Sequence, residues 1–168
     1  MKVICTTSRL LLREWTAEAD FQWFYELNED PLVVQYTGDA PFVSKEAAYQ
    51  FLSQYDQYEQ YGMGRWAVAL KDQPDTVLGW CGLKYHPDSD QVDVGYRFFR
   101  RYWGNGYATE AAKASIDYGF YHLGLPTIYA HAMKNNIASI KVLEKIGMSY
   151  WKNSIMEGQE AVLYKIER

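Results

Sequence analysis

The sequence predicts an α+β domain built on one mixed sheet, and three observations carry that expectation. Three strand-like runs follow one another between residues 65 and 99, joined by turns rich in Pro and Asp, which reads as an antiparallel meander. A long helical stretch then leads into a further strand, which calls for a crossover. The 168 residues contain no internal repeat, linker or low-complexity segment, so a single domain spanning 1–168 is expected.

Taken in order, Arg9 to Trp15 reads as the first strand. Asp20 is placed as a helix cap before Phe21, Trp23, Phe24 and Leu27, which recur at helical spacing until Pro31. Ser44 caps a second helix with Ala48, Phe51, Leu52 and Tyr55 on its inner face, ended by Gly62 and Gly64. The meander strands are Arg65 to Lys71, Val77 to Tyr85 and Gln91 to Phe99, with turns at Asp72 to Asp75 and at His86 to Asp90. A helix from about Gly106 to Leu123 carries a stripe of small and apolar residues from Ala108 to Leu123. Thr127 to Met133 is the crossover strand. Asn136 caps a shorter helix that Gly147 terminates in the left-handed conformation. Ser149 to Lys152 and Ala161 to Ile166 close the chain. This makes about seven strands and about four helices.

Composition removes several function classes. A net charge of −4 lacks the basic footprint that nucleic-acid binding requires. Two cysteines without CxxC spacing, and no HExxH, exclude the usual zinc patterns, so no metal is expected. No stretch approaches the ~18 apolar residues of a membrane span and no signal peptide is evident, so a cytoplasmic protein is expected. GxSxG and GxxxxGK[ST] are also missing.

The chemistry concentrates in Asp93 to Glu110, DVGYRFFRRYWGNGYATE, where a strand runs through two glycines into a helix. Glycine lets the backbone approach a ligand, and a helix N-terminus offers unpaired N–H groups, which together suit a pyrophosphate. Arg100 and Arg101 lie at the edge of this loop.

Arg101-x-x-Gly104-x-Gly106 at this position resembles the acetyl-CoA loop of the GNAT acetyltransferase superfamily. Ser8-Arg9-Leu10-x-Leu12-Arg13, Gly79-x-Cys81-Gly82, Asp93-Val94-Gly95-Tyr96, Asn136-x-x-Ser139 and Leu143-Glu144-Lys145-x-Gly147 fit in the same order. That order is similar to the subgroup that acetylates ribosomal-protein N-termini, the Rim type. The resemblance implies a GNAT-like fold, splayed between the fourth and fifth strands, and a single acetyltransferase domain. It implies acetyl-CoA as cosubstrate, held by Arg101, Tyr102, Trp103, Gly104, Asn105, Gly106, Tyr107 and Ala108, with the backbone amides of Tyr102 to Tyr107 on the pyrophosphate. The strand of Gly95, Tyr96, Arg97 and Phe98 would run beside the pantetheine arm, with Asn136 and Ser139 near it. A main-chain N–H at Gly95 or Tyr96 would polarise the thioester carbonyl. At the level of the family it implies a homodimer.

Many family members carry a general-acid Tyr where this chain has Leu143, so Ser139 is the expected acid. Asp93 is the expected proton acceptor, with pairing to Arg97 as its structural alternative. Glu110 is expected to favour the helix dipole, and His131 to be structural. The acceptor pocket is expected among the aromatics of the first two helices, with Asp39 and Glu29 as candidate attractors of an ammonium. The function expected is N-acetyl transfer from acetyl-CoA to a primary amine. The competing reading is a non-catalytic acyl-CoA-binding module.

Overall fold

The computed structural model describes residues 1–168. Eight strands form one sheet: β1 (Val3–Thr6), β2 (Leu10–Arg13), β3 (Arg65–Leu70), β4 (Gln73–His86), β5 (Gln91–Phe98), β6 (Thr127–Met133), β7 (Ser149–Met156) and β8 (Gln159–Glu167). Their spatial order is β1-β2-β3-β4-β5-β6-β8-β7. Every neighbouring pair is antiparallel except β5 and β6. The helices are α1 (Ala17–Glu29), α2 (Pro31–Val34), α3 (Lys45–Ser53), α4 (Gln57–Tyr61), α5 (Tyr107–Asp117) and α6 (Ile137–Lys145). No helix is long and apolar enough to cross a membrane.

The meander and the β5–α5–β6 crossover match the expectation, and the differences have local causes. The extra strand, β1, pairs along β2 and covers an edge that would otherwise be open. Gln73 pairs with Leu70, so β4 starts inside the predicted turn. The last hairpin is longer than expected because Glu157 and Gly158, at φ of 49° and 74°, make a two-residue turn that keeps β7 and β8 in register to Met156. The second helix divides into α3 and α4, and Gly62 ends α4 in the left-handed conformation.

The caps follow the sequence at two of three places. The Ser44 hydroxyl accepts from the Ala47 amide at 3.1 Å, and the Asn136 side chain accepts from the Ser139 amide at 3.3 Å. Asp20 is not a cap. The helix starts at Ala17, and Asp20 lies buried on its inner face. There it accepts two bonds from Arg13, at 2.8 and 2.7 Å, and one each from the Trp23 indole and the Thr16 amide. Burial raises its pKa, but these donors outweigh that and hold it below the usual carboxylate value.

The main core lies between α5 and the sheet, with Leu10, Leu12, Trp66, Leu78, Leu83, Ile128 and Leu143 almost fully buried. A second cluster, Trp15, Phe24, Ala48 and Leu52, packs α1 and α3 on the opposite face. The site is positioned by what happens between β5 and β6. Their parallel pairing is confined to Asp93 with Tyr129. From Val94 onward the edge of β5 that faces β6 has no partner strand, and the N-terminus of α6 sits beside the opening.

Candidate active site

Two cavities meet at this opening. The first, about 480 Å³, is lined by Tyr102 to Gly104, Gly106 to Thr109, Leu32, Val33 and the α6 residues Ala138, Val142 and Lys145. The second, about 510 Å³, is lined by Trp15, Phe24, Phe42, Phe51, Tyr55 and Trp80, with Arg65, Asp93, Gly95 and His131. Tyr36, Thr37, Tyr96, Arg97, Asn136 and Ser139 line both.

The loop between β5 and α5 brings main chain to the wall of the first cavity. Gly104 and Gly106 have φ of 80° and 78°, a conformation that side chains disfavour. The backbone therefore turns twice before α5 begins at Tyr107. The Tyr102 and Trp103 amides donate to the carbonyls of Phe99 and Arg100, at 2.9 and 3.1 Å. This corrects the expectation that the open amides begin at Tyr102. From Gly104 through Thr109 no main-chain N–H has an acceptor in the protein, and Glu110 is the first to bond back, to Gly106 at 3.1 Å. A run of unpaired amides at a helix N-terminus, with no Cβ at two positions, fits a diphosphate.

The cations around the loop differ from the expected ones. Arg101 lies over the rings of Phe99 and Tyr102, 4.2 and 5.0 Å from their centroids. Arg100 pairs with Asp30 at 3.2 Å. Arg9, far away in sequence, donates to the Asn105 carbonyl at 2.8 Å and covers the Tyr107 ring. Glu110 fixes this arrangement by accepting from the Thr7 hydroxyl, the Arg9 amide and Arg9 Nε. Slight burial raises the Glu110 pKa, but these donors bring it below its ordinary value. Glu110 thus ties the Thr7–Arg9 turn to the phosphate loop, a tertiary role beyond the helix-dipole effect expected of it.

At the junction, the Tyr96 hydroxyl lies 2.9 Å from the Ser139 hydroxyl and donates to the Ser139 carbonyl at 3.1 Å. Burial pushes the Tyr96 pKa up to about 12, partly offset by Ser139, so the phenol keeps its proton at neutral pH. The sequence pointed to Ser139 and to the Tyr96 main chain but missed the Tyr96 hydroxyl. Strand alternation alone cannot show which hydroxyl meets a helix 43 residues away. Leu143 is buried behind the pair.

Asp93 lies on the acceptor side and pairs with Arg65, not with Arg97. Arg65 Nη2 donates to it at 2.8 Å, and His86 Nε2 lies 3.3 Å away without hydrogen-bond alignment. Gly95 makes this possible, because a Cβ there would sit 2.7 Å from Arg65 Nη2. Burial raises the Asp93 pKa, but Arg65 and then His86 reverse this and bring it down to about 2. Asp39 pairs with Arg97 at 2.7 Å, while Glu29 is not among the lining residues. His131 lies on the acceptor wall, and burial lowers its pKa despite Asp93 nearby.

Comparison with known proteins identifies the family. Residues 9–149 match the acetyltransferase (GNAT) domain family. The N-acetyltransferase YnaD of Bacillus subtilis is 33% identical over 92% of this chain and 89% of its own length. A crystal structure of a GNAT-family acetyltransferase from Bacillus anthracis superposes with a TM-score of 0.81, at 27% identity and 98% coverage of both chains. RimL, a ribosomal L7/L12 α-N-protein acetyltransferase solved with coenzyme A, shares the fold, with a TM-score of 0.83, 14% identity, and 99% and 98% coverage. Fold and site thus define an acyltransferase that draws on a CoA thioester. The chain belongs to the GNAT acetyltransferase family and is an acetyl-CoA-dependent N-acetyltransferase.

Proposed function

We propose that this protein acetylates a primary amine by direct attack within the space where the two cavities meet. The observation that supports it best is that Tyr96, Asn136 and Ser139 line both the loop-side and the acceptor-side cavity. In this reading the open amides of Gly104 to Thr109, with Ala108 and Asn105 among them, hold the diphosphate. Tyr102, Trp103 and Tyr107 shape the groove with their side chains, and Arg101, packed over Tyr102, lies outside its lining. The unpaired edge of β5 from Gly95 through Tyr96, Arg97 and Phe98 runs beside the pantetheine arm, opposite Asn136. When bound, acetyl-CoA supplies an acetyl group activated as a thioester.

The amine must be neutral to attack. An α-amino group, with an ordinary pKa of about 7.7–8.0, reaches that state more readily than a lysine near 10.4. His131 is uncharged at neutral pH and takes the proton the ammonium gives up. The C–N bond forms, the C–S bond breaks, and the departing thiolate takes a proton from Ser139, whose hydroxyl Tyr96 holds in place; Ser139 regains a proton, through the Tyr96 hydroxyl or water, from the one that the new amide nitrogen gives up. Asp93 accepts protons poorly at neutral pH, because a useful base has a pKa near the working pH. Its part is to hold Arg65 on the acceptor wall.

The test is release of free CoA thiol from acetyl-CoA in the presence of a panel of primary amines. Amine-dependent release is expected. Stabilisation by CoA without release on any amine would favour the binding-module reading instead.

A further inference from the structure

The two arginines on the acceptor wall differ in how completely they are satisfied. Arg65 Nη1 donates to the Gly82 carbonyl at 2.7 Å, its Nη2 holds Asp93, and both acceptors are fixed parts of the sheet. Arg97 has a side chain only 10% exposed, yet its Nε is buried with no acceptor. Its Nη1 donates to Asn28, a buried α1 side chain, and its Nη2 to Asp39. Asp39 is 63% exposed and belongs to the segment between α2 and α3, outside any helix or strand. A buried guanidinium thus rests on one exposed carboxylate that water already reaches. Breaking such a pair leaves a buried charge unless another anion takes its place.

The surrounding wall points the same way. It carries three cations, Arg65, Lys84 and Arg97, against two carboxylates, Asp39 and Asp93. Both carboxylates are taken by arginine. A second ammonium on the acceptor, as in a polyamine, would find no free anion here. The rest of the wall is apolar and aromatic, with Trp15, Phe24, Phe42 and Phe51. Both guanidinium groups lie over the Trp80 ring, that of Arg65 5.4 Å and that of Arg97 5.2 Å from its centroid.

We propose that the acceptor is a primary amine that also bears a carboxylate and an apolar body, and that Arg97 receives this carboxylate in place of Asp39. The proposal rests on the transferase reading above. The planar fork of Arg97 binds a carboxylate with defined orientation. Anchoring the anion near Tyr96 and Ser139 would present the amine to the junction while the apolar body fills the aromatic wall.

The test compares L-phenylalanine, L-phenylalaninamide and spermidine as acceptors, by thiol release and by calorimetric binding to the CoA-loaded protein. L-phenylalanine is expected to exceed its amide in kcat/KM by about tenfold or more, as befits a hydrogen bond between charged groups. Arg97→Gln should remove that preference, and Arg97→Lys should restore part of it. The exposed Asp39 gives a variant that leaves the core untouched. Asp39→Asn should tighten L-phenylalanine binding and lower its KM by about threefold, the scale of a partly exposed ion pair, with no gain for the amide. Equal use of acid and amide, preference for spermidine, or weaker L-phenylalanine binding in Asp39→Asn would overturn the proposal. Each would do so while thermal stabilisation by CoA still supports the reading beneath it. Loss of that stabilisation together with turnover would overturn both.

Discussion

The loop-side groove and the acceptor-side cavity are nearly equal in volume but are built from different materials. At its loop wall the groove presents main chain: a run of amides from Gly104 to Thr109 whose direction is set by two left-handed glycines. The acceptor cavity presents side chains from α1, the α2–α3 segment, α3 and strands β3 to β6. A site made of backbone tolerates changes in side chain and fails when the backbone path is blocked. A site made of side chains responds to single substitutions with altered specificity. In this protein the first kind would serve the diphosphate, and the second would choose the acceptor.

The largest effect is expected where the backbone path itself is blocked. Gly104 has φ of 80° and open space where a Cβ would lie, so a side chain there strains the turn and enters the groove without disturbing the core. Gly104→Glu should abolish the thermal shift produced by CoA, which at a hundredfold excess over Kd is worth about 2.7 kcal/mol in a binding-competent protein. A normal shift would remove the loop from cofactor binding.

Next in size is the junction. Ser139→Ala should lower kcat by about a hundredfold, the lower range for a positioned proton donor, with CoA affinity nearly unchanged. Tyr96→Phe should act in the same direction and less strongly, because it removes only the partner of Ser139. An unchanged kcat in Ser139→Ala would leave the thiolate to be protonated by water.

A smaller effect, on stability, comes from two ion pairs, that of Asp93 with Arg65 on the acceptor wall and that of Asp20 with Arg13 on the inner face of α1. Asp20 and Asp93 both have folded pKa values below their unfolded ones, that of Asp93 at about 2 against 3.8. Their contribution is present above the unfolded value and is lost as pH falls through the folded one. Stability should therefore drop between about pH 4 and pH 2 in acid titrations followed by circular dichroism. Asp93→Asn should flatten that drop. The smallest effect is expected at Arg101, which lies on aromatic rings at the surface. Arg101→Ala should weaken CoA binding by no more than about fivefold.

The same contrast explains what the sequence could show. The meander, the crossover helix and the Gly104–Gly106 loop depend on local spacing and turn residues, so their places could be read directly. Ser44 and Asn136 were legible as caps because capping acts over three residues. Asp20 misled because a carboxylate near a helix start looks the same whether it caps the helix or binds a buried Arg13. The Tyr96–Ser139 contact, the Arg9–Glu110 latch and the Arg97–Asp39 pair join residues 43, 101 and 58 positions apart. No period or motif in a single chain registers such distances. Asp93 was found, but its partner was not, because the lack of a side chain at Gly95 admits Arg65 from the far end of β3.

Cofactor binding depends most on the open amides of the loop. Hydrogen exchange followed by NMR, with and without CoA, tests them residue by residue. Strong slowing is expected from Gly104 to Thr109 on CoA binding, with little change at Tyr102 and Trp103, whose amides already donate within the protein. CoA binding that leaves Gly104 to Thr109 exchanging as before would contradict that dependence.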